Sequence, residues 1–215
     1  MEEYQRAITA MHHEATHMAR LAAGLLTLAR ADSGQSAPAW EEVDLGEIAL
    51  DVVERLTPLA QRSGMTLTLD LPDELSLRGD PVHLTQLLMN LTENALKHGA
   101  GVCTRVCIMG GRIYEHDRAE IRLRVVDGGP GIAAAHLSHL GERFYRVDQA
   151  RTHNTDPQRE GDTGGLTGTG SGLGLAIAHW ITRAHGGSLL IESEVGHGAT
   201  FEVRLPCLGE KQPGS

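Results

Sequence analysis

The sequence predicts an α+β fold, a two-layer α/β sandwich preceded by one long helix. Several separate segments alternate apolar and polar residues as strands do, and about three helical patterns lie among them without the strict alternation of a doubly wound sheet. A heptad pattern fills the first part of the chain and ends at a run of turn formers. At 215 residues, the chain is long enough for one well-packed domain and a smaller appendage.

The first helix is predicted from a seam of apolar or small residues. They recur at alternating steps of four and three, which is the spacing of a coiled coil or a helical hairpin. The members of the seam are Tyr4, Ile8, Met11, Ala15, Met18, Ala22, Leu25 and Ala29. Turn formers follow Arg30 and lead to Pro38, so we expect the helix to end near Arg30.

These signals divide the chain into four parts. We assign residues 1–32 to the helical segment, residues 33–40 to a linker, residues 41–207 to the sandwich domain and residues 208–215 to a disordered tail. The boundary between helix and domain therefore falls in the linker.

The domain is expected to begin with a helix and two strands. Asp44, with Glu47 three residues later, predicts a capping box for a helix that runs to about Ser63. Residues 65–71 alternate apolar and polar side chains, and residues 75–78 are expected to pair with them across a Pro-Asp turn.

A second helix and a hairpin follow. Asp80 is a predicted N-cap, and Pro81 takes the first position of a helix that stops at Gly99. Residues 102–109 and 119–126 are strand candidates, and the Gly-Gly and charged connection between them predicts a long hairpin.

A third helix and two strands complete the domain. The helix is predicted from Ser171 to His185, because two glycines follow it directly. Strands are predicted over residues 188–193 and 199–205.

Charge and composition exclude several classes of function. A formal charge of -9 and a pI near 5.7 give no basic surface for nucleic acid or an anionic membrane, so a local site must hold any phosphate. No apolar run is long enough to span a bilayer and the first residues are acidic, so we expect a cytoplasmic chain. Cys103, Cys107 and Cys207 form no CxxC pair, and we expect buried, reduced thiols.

Four polar residues share one face of the domain's second helix. Asn90, Glu93, Asn94 and Lys97 are related by steps of three and four, while the leucines between them can pack elsewhere. Such a cluster suits a cation and phosphates. A solvated helix face is the simpler interpretation for the charged residues, but asparagine is a mediocre helix former that contributes little on an exposed face.

A glycine-rich turn follows the second strand of the hairpin. Asp127 stands at its start, and Gly129, Gly131 and Ile132 come after it. Glycines let the backbone approach a ligand closely, and the carboxylate can accept a hydrogen bond from an exocyclic amine. Taken alone, this pattern also occurs in ordinary turns.

A second glycine-rich segment leads into the third helix. The N–H groups and the dipole of a helix N-terminus favour a phosphate. The candidate residues are Gly168, Gly170, Ser171, Gly172, Leu173 and Gly174. The segment looks like a dinucleotide fingerprint, but no apolar strand leads into it, so the Rossmann context is missing.

Five ordered segments resemble the N, G1, F, G2 and G3 boxes of histidine kinases. They are the polar helix face, the Asp127 turn, residues 142–148 (Glu-Arg-Phe-Tyr-Arg-Val-Asp), the second glycine-rich segment, and residues 196–201 (Gly-His-Gly-Ala-Thr-Phe). The similarity covers roughly residues 40 to 206. It implies the Bergerat ATP-binding sandwich shared with gyrase, Hsp90 and MutL, and the F box narrows it to histidine kinases.

The resemblance implies roles for individual residues. Asn94 corresponds to the Mg²⁺-ligating asparagine, and Asn90 and Lys97 to its neighbours on the phosphate side. Asp127 corresponds to the aspartate that recognises adenine, and Glu93 to an acid that assists the nucleophile. Magnesium would neutralise charge that develops during phosphoryl transfer. The other residues expected to bind ATP are Gly129, Gly131, Ile132, Phe144, Tyr145, Arg151, Gly168, Gly170, Ser171, Gly172, Leu173, Gly174 and Thr200.

Residues 146–170 resemble the ATP lid of this family. They are rich in polar residues and glycine, so we expect mobility in the absence of nucleotide. Phe144 and Tyr145 are expected to anchor the base of the lid against the core. Arg143 and Arg151 are candidates for contacts with phosphate or a partner, and solvated positions are an equal alternative.

Residues 18–30 resemble the second helix of the kinases' dimerisation hairpin. The first helix, with its His-Glu-x-x-x-Pro phospho-acceptor box, is not present in this sequence, so we do not expect the chain to autophosphorylate alone. The resemblance implies a parent protein that is a homodimer through this helix and is anchored in the membrane by segments outside this chain. That parent would relay phosphate to the receiver domain of a response regulator.

Three other functions are left open. The domain could be a nucleotide-binding or interaction module without turnover, or a serine kinase of the anti-sigma-factor type, which generally lacks the helix and this F box. His13, Glu14 and His17 match the His-Glu-x-x-His pattern of zinc hydrolases. Against a zinc site, the heptad places both histidines on the outer face of the helix.

Overall fold

The computed structural model confirms the α+β sandwich preceded by a long helix. It describes residues 2–32, 38–72, 74–115, 118–147 and 172–207. In chain order the elements are α1 (Glu2–Asp32), β1 (Glu41–Asp44), α2 (Leu45–Arg62), β2 (Thr66–Asp70), β3 (Ser76–Gly79), α3 (Pro81–Gly99), β4 (Arg105–Glu115), β5 (Arg118–Asp127), α4 (Ala134–Leu137), α5 (Gly174–Ala184), β6 (Ser188–Glu194) and β7 (Gly198–Pro206).

One five-stranded sheet forms the first layer, in the order β2-β4-β5-β7-β6. Strand β2 runs parallel to β4, and the other neighbours are antiparallel. Helices α2, α3 and α5 form the second layer on one face of this sheet. Alternate residues of the inner strands β5 and β7 are buried under the helices: Ile121, Leu123, Val125, Phe201, Val203 and Leu205.

The predicted helix starts are confirmed, because local capping bonds determine them. Asp44 accepts a hydrogen bond from the backbone N–H of Gly46 (2.7 Å). The Asp80 carboxylate accepts from Val82 and His83, both at 3.0 Å, and its second oxygen accepts from Ala39 in the linker at 2.8 Å. Side-chain caps of this kind satisfy N–H groups that have no partner inside the helix.

The predicted pairing of residues 75–78 with residues 65–71 is wrong. Strand β3 pairs instead with β1 in a separate two-stranded sheet, and β2 joins β4. Leu75 and Leu77 are fully buried, and the carbonyl of Leu75 accepts from Leu45 at the start of α2. Alternation in a sequence indicates that a strand forms, whereas burial against the rest of the domain selects its partner.

Two boundaries and the burial of the cysteines also differ from the expectations. Gly110 and Gly111 lie inside β4 and not in the hairpin connection. A Cβ at Gly110 would overlap the carbonyl oxygen of Arg122, so glycine here allows two strands to approach closely. Helix α5 begins at Gly174. The three cysteines are free thiols, as expected, but each is half-buried.

Helix α1 carries two apolar stripes that face different surroundings. Leu28 is 3% exposed, and a Cβ at Gly24 would lie 3.2 Å from Ile177 and 3.4 Å from Leu173, so this stripe packs on α5. The predicted seam faces elsewhere. Its large members are exposed: Tyr4 (77%), Ile8 (65%), Met11 (74%), Met18 (63%) and Leu25 (44%).

Within the described ranges, no helix combines the length and apolar character that crossing a bilayer requires. The predicted tail, residues 208–215, lies outside the described residues. The assignment of residues 1–32, 33–40 and 41–207 to separate parts stays a prediction.

Candidate functional site

The polar face of α3 is half-buried, which contradicts the interpretation as a solvated helix face. Asn90, Glu93, Asn94 and Lys97 are all partly covered. The Nδ2 atom of Asn90 is buried and has no hydrogen-bond partner among the described residues. Burying an amide without a partner is costly, so this position is suited to a polar ligand.

The same face meets the beginning of α5. A Cβ at Gly174 would lie 3.9 Å from the side-chain carbon of Asn90. Leu173, which precedes the helix, is 1% exposed, and among the described residues no side chain caps α5. The structure thus brings the predicted N box and the end of the predicted G2 box together, at a helix N-terminus where the dipole favours phosphate.

Asp127 ends β5 and is 6% exposed. It lies on the helix-facing side of the sheet, in register with Ala199 on β7. One carboxylate oxygen accepts from the N–H of Gly129 at 2.9 Å. Burial raises the pKa of Asp127, while hydrogen bonds from the backbone of Gly129 and Ala199 oppose that rise. A carboxylate has further lone pairs, so it can also accept a bond from a ligand amine.

The turn after Asp127 has no room for side chains at its glycines. A Cβ at Gly129 would lie 2.8 Å from the Asp127 carboxylate and 3.3 Å from the carbonyl of His98. Gly131 has a φ of +71°, and a Cβ there would overlap the carbonyl of Glu194. Glycine is therefore required at Gly131, and a side chain at Gly129 would displace the Asp127 carboxylate. Ile132, which follows, is half-buried.

The tip of the β6–β7 hairpin supports this turn, a contact that no motif in the sequence predicts. Ser193 accepts a hydrogen bond from the N–H of Ile132 at 2.8 Å, and Gly196 donates to the carbonyl of Pro130 at 2.8 Å. A serine in an alternating strand has no distinguishing local pattern, so only the tertiary structure reveals this contact.

The expected nucleotide contact of Thr200 is not supported by the strand register. Thr200 pairs with Val126, and Ala199 pairs with Asp127. Side chains alternate between the two faces of a strand, so Thr200 points away from the helices on the face opposite Asp127. Ala199 is the residue of the predicted G3 box that adjoins the carboxylate.

The predicted F box contacts the beginning of the described part of the G2 box. The N–H of Phe144 donates to the carbonyl of Gly172 at 3.1 Å, and both residues have positive φ, +65° and +67°. Tyr145 is half-buried, bonds to His136 at 2.7 Å and stacks on His139. The expected anchoring of Phe144 is wrong, because its side chain is 51% exposed.

Some predicted site residues lie outside the described part of the chain: Arg151, Gly168, Gly170 and Ser171. Most of the predicted lid, residues 146–170, lies there too. So do the side chains of His13 and His17. Among the described residues, no cluster of three His, Cys, Asp or Glu side chains could hold a metal ion.

Two clefts adjoin the sheet. One, of about 360 Å³, is formed at the ends of β5, β6 and β7, and its lining includes Asp127, Ser193 and Thr200. The other, of about 410 Å³, is lined by Trp40 and His185 among others and contains none of the predicted site residues. The first cleft therefore contains two of the predicted site residues, Asp127 and Thr200.

The donor set fits a magnesium nucleotide. Magnesium prefers oxygen ligands, and the amide of Asn94 offers one beside Lys97 on the same helix. The buried amide of Asn90 lacks a partner among the described residues, which leaves a donor for a phosphate oxygen.

Comparisons with known proteins give a consistent result. A family model described as histidine kinase-, DNA gyrase B- and HSP90-like ATPase matches residues 79–208. The chain is 31% identical over 218 residues to the sensor protein DivL of Caulobacter vibrioides, covering 100% of this chain and 25% of DivL. It is 34% identical over 197 residues to the sensor histidine kinase CusS of Escherichia coli, covering 90% of this chain and 36% of CusS.

A solved structure shows the same fold. Full-length ShkA in complex with AMPPNP matches with a TM-score of 0.73 at 24% identity, over 98% of this chain and 40% of that chain. The present chain thus spans well under half the length of these relatives.

Proposed function

Because the chain belongs to the histidine kinase-, DNA gyrase B- and HSP90-like ATPase family and carries the ATP-binding catalytic domain of a sensor histidine kinase, we propose that it binds Mg-ATP for transfer of the γ-phosphate to a histidine. The observation that carries this proposal is the buried Asp127 carboxylate beside a turn whose glycines admit no side chain. It is a preformed acceptor for the amine of adenine.

We assign the triphosphate to the junction of α3 and α5. Asn90 offers its buried amide there, and the uncapped N-terminus of α5 offers N–H groups and a favourable dipole. Lys97 supplies positive charge from α3. We assign Asn94 as the protein ligand of a bound magnesium ion, whose positive charge would offset the charge of the phosphates.

The transfer step needs little covalent chemistry from the protein. An imidazole nitrogen of the acceptor histidine forms a bond to the γ-phosphorus as the bond to the β,γ-bridging oxygen breaks, and ADP leaves. We assign Glu93 to orient the acceptor by accepting a hydrogen bond from its other ring nitrogen. Catalysis then rests on positioning and electrostatics.

The acceptor, the receiver and the second subunit lie outside this chain. The exposed seam of α1, 63% exposed at Met18 and 77% at Tyr4, supports pairing with further helices in a homodimeric parent. We propose that this parent is anchored in the membrane with the present domain on the cytoplasmic side. The phosphate would pass from its histidine to an aspartate of a response-regulator receiver domain.

Calorimetric titration with ATP, with and without Mg²⁺, tests the binding site. Asp127→Asn should weaken binding about tenfold or more, since hydrogen bonds to charged groups contribute about 1.5–3 kcal/mol. Asn94→Ala should lose the dependence on magnesium. Asp51→Asn, a surface change on α2, is the matched control and should bind like wild type. A folded wild type that binds no ATP would contradict the proposal.

Turnover is tested by adding a protein that carries the acceptor helix. Acid-labile, base-stable phosphate on that protein is the expected result, and it should disappear with Asn94→Ala. Tight ATP binding without any transfer would identify a nucleotide-binding module that lacks turnover.

A further inference from the structure

Ser193 joins two backbone segments through one hydroxyl group. Its oxygen accepts a hydrogen bond from the N–H of Ile132 at 2.8 Å and donates one to the carbonyl of Gly198 at 2.6 Å. Donating and accepting together is a property of a hydroxyl that alanine and valine lack. The side chain is half-buried near the end of β6, so both bonds are partly shielded from water.

The two segments adjoin Asp127 from different sides of its turn. The loop of residues 128–132 begins where β5 ends, and Ser193 holds its far end through Ile132. Gly198 packs against the backbone at the near end, because a Cβ there would lie 2.8 Å from the carbonyl carbon of Asp127 and from the Cα of Gly128. One serine therefore fixes both ends of the loop relative to the β6–β7 hairpin.

Among the described residues, one other hydrogen bond joins this loop to the hairpin tip, from the N–H of Gly196 to the carbonyl of Pro130 at 2.8 Å. Without the Ser193 hydroxyl, the N–H of Ile132 loses its partner and the end of the loop gains freedom. The half-buried location admits water in place of the hydroxyl, so the fold should persist.

We propose that Ser193 is a positioning residue that sets the adenine-recognising loop and Asp127 in their binding geometry. This inference rests on the proposed function, because it assigns Ser193 to the adenine half of that nucleotide site. Ser193 acts through the loop and not on the phosphates, which are assigned to α3 and α5. Its effect on ATP affinity should therefore depend on Asp127 and be independent of Asn94.

A double-mutant cycle on ATP affinity tests this dependence. We expect Ser193→Ala to weaken ATP binding about tenfold, which corresponds to the roughly 1.4 kcal/mol of an ordinary buried hydrogen bond. In an Asp127→Asn background the same change should weaken binding less than twofold further. In an Asn94→Ala background it should still weaken binding about tenfold.

Two variants control for loss of stability. Ser193→Thr keeps the hydroxyl and should restore binding to near the wild-type value. Ser188→Ala makes the same chemical change at an exposed position of the same strand and should leave binding unchanged. The melting temperature of each variant is measured by circular dichroism, and all titrations are run well below it. If Ser193→Ala does not fold, Ser193→Cys replaces it, since a thiol has similar size and bonds only weakly.

The outcomes separate the two levels of inference. A wild type that binds no ATP contradicts the proposed function and this inference with it. If the wild type binds ATP and Ser193→Ala binds it equally tightly, the role of Ser193 is overturned and the proposed function stands. The same conclusion follows if Ser193→Ala lowers ATP affinity equally in the Asp127→Asn and Asn94→Ala backgrounds.

Discussion

Gly196 and Gly198 form a matched pair for testing how rigidly the β6–β7 turn holds Asp127. Both have a left-handed backbone, with φ of +85° and +82°, and both become strained when a side chain is added. Their surroundings differ. A Cβ at Gly196 has nothing within 4 Å, whereas one at Gly198 would overlap the carbonyl oxygen of Asp127. Comparing the two alanine variants separates backbone strain from displacement of Asp127.

The magnitudes follow from these surroundings. Gly196→Ala should lower the free energy of unfolding by about 1–2 kcal/mol, which is the usual penalty for a left-handed residue with a Cβ. Gly198→Ala has the same penalty plus about 1–3 kcal/mol for overpacking. A Cβ at Gly198 would lie 2.8 Å from the carbonyl carbon of Asp127, and reaching the 3.4 Å of an ordinary contact requires a shift of at least about 0.6 Å. A binding site tolerates only about 0.5 Å of misplacement, so ATP affinity should fall about tenfold or more.

Urea denaturation and ATP titration of both variants give the two quantities needed. We expect similar, modest destabilisation without loss of affinity for Gly196→Ala, and larger destabilisation with weakened binding for Gly198→Ala. Wild-type affinity in Gly198→Ala would show that the turn yields without moving Asp127, and the argument from close packing would then be wrong.

Three further predictions concern buried groups. Burial raises the pKa of Asp127 in the folded protein, so the stabilising contribution of its carboxyl group is present below pH 3.8 and is lost as pH rises through the folded pKa. Asp127→Asn should therefore raise the urea midpoint at pH 7. The difference in midpoint between the variant and wild type should narrow towards pH 4. Burial lowers the pKa of His185, whose Nε2 accepts the N–H of Asp80. Its contribution is therefore complete above pH 6.5 and lost as pH falls, and His185→Gln should show a smaller decrease in urea midpoint between pH 7.5 and 5.5. Leu28→Ala should destabilise by about 2–5 kcal/mol in urea unfolding, since Leu28 is buried, while Leu25→Ala on the exposed seam should change stability by less than about 0.5 kcal/mol. Equal effects of the two leucine changes would refute the packing of α1 on α5.

Features that depend on neighbouring residues were predictable. The caps at Asp44 and Asp80, the bounds of α2 and α3, and the end of α5 at the Gly-Gly pair all rest on bonds within a few residues. The family boxes were predictable for a similar reason, because a ligand site with close backbone approach requires glycines and polar groups in a fixed order.

Features that depend on residues far apart in the sequence could not be predicted. The partner of β3, the sheet face of Thr200 and the exposure of Phe144 all follow from packing between elements far apart in the sequence. The contact between Ser193 and Ile132 spans 61 residues. Neither the alternation of apolar and polar residues along a strand nor a short motif indicates which distant residues will be in contact.

The sequence by itself therefore determined the sandwich, its helices and the chemical types of the residues in the candidate site, because hydrophobic periodicity, capping and glycine requirements are local. The tertiary structure decided which of those residues meet. It brought Asn90 to Gly174, set Ala199 beside Asp127, and fixed the loop of residues 128–132 to a hairpin through Ser193. Strand register and helix packing produce these contacts, and both are settled only when the whole core is buried together.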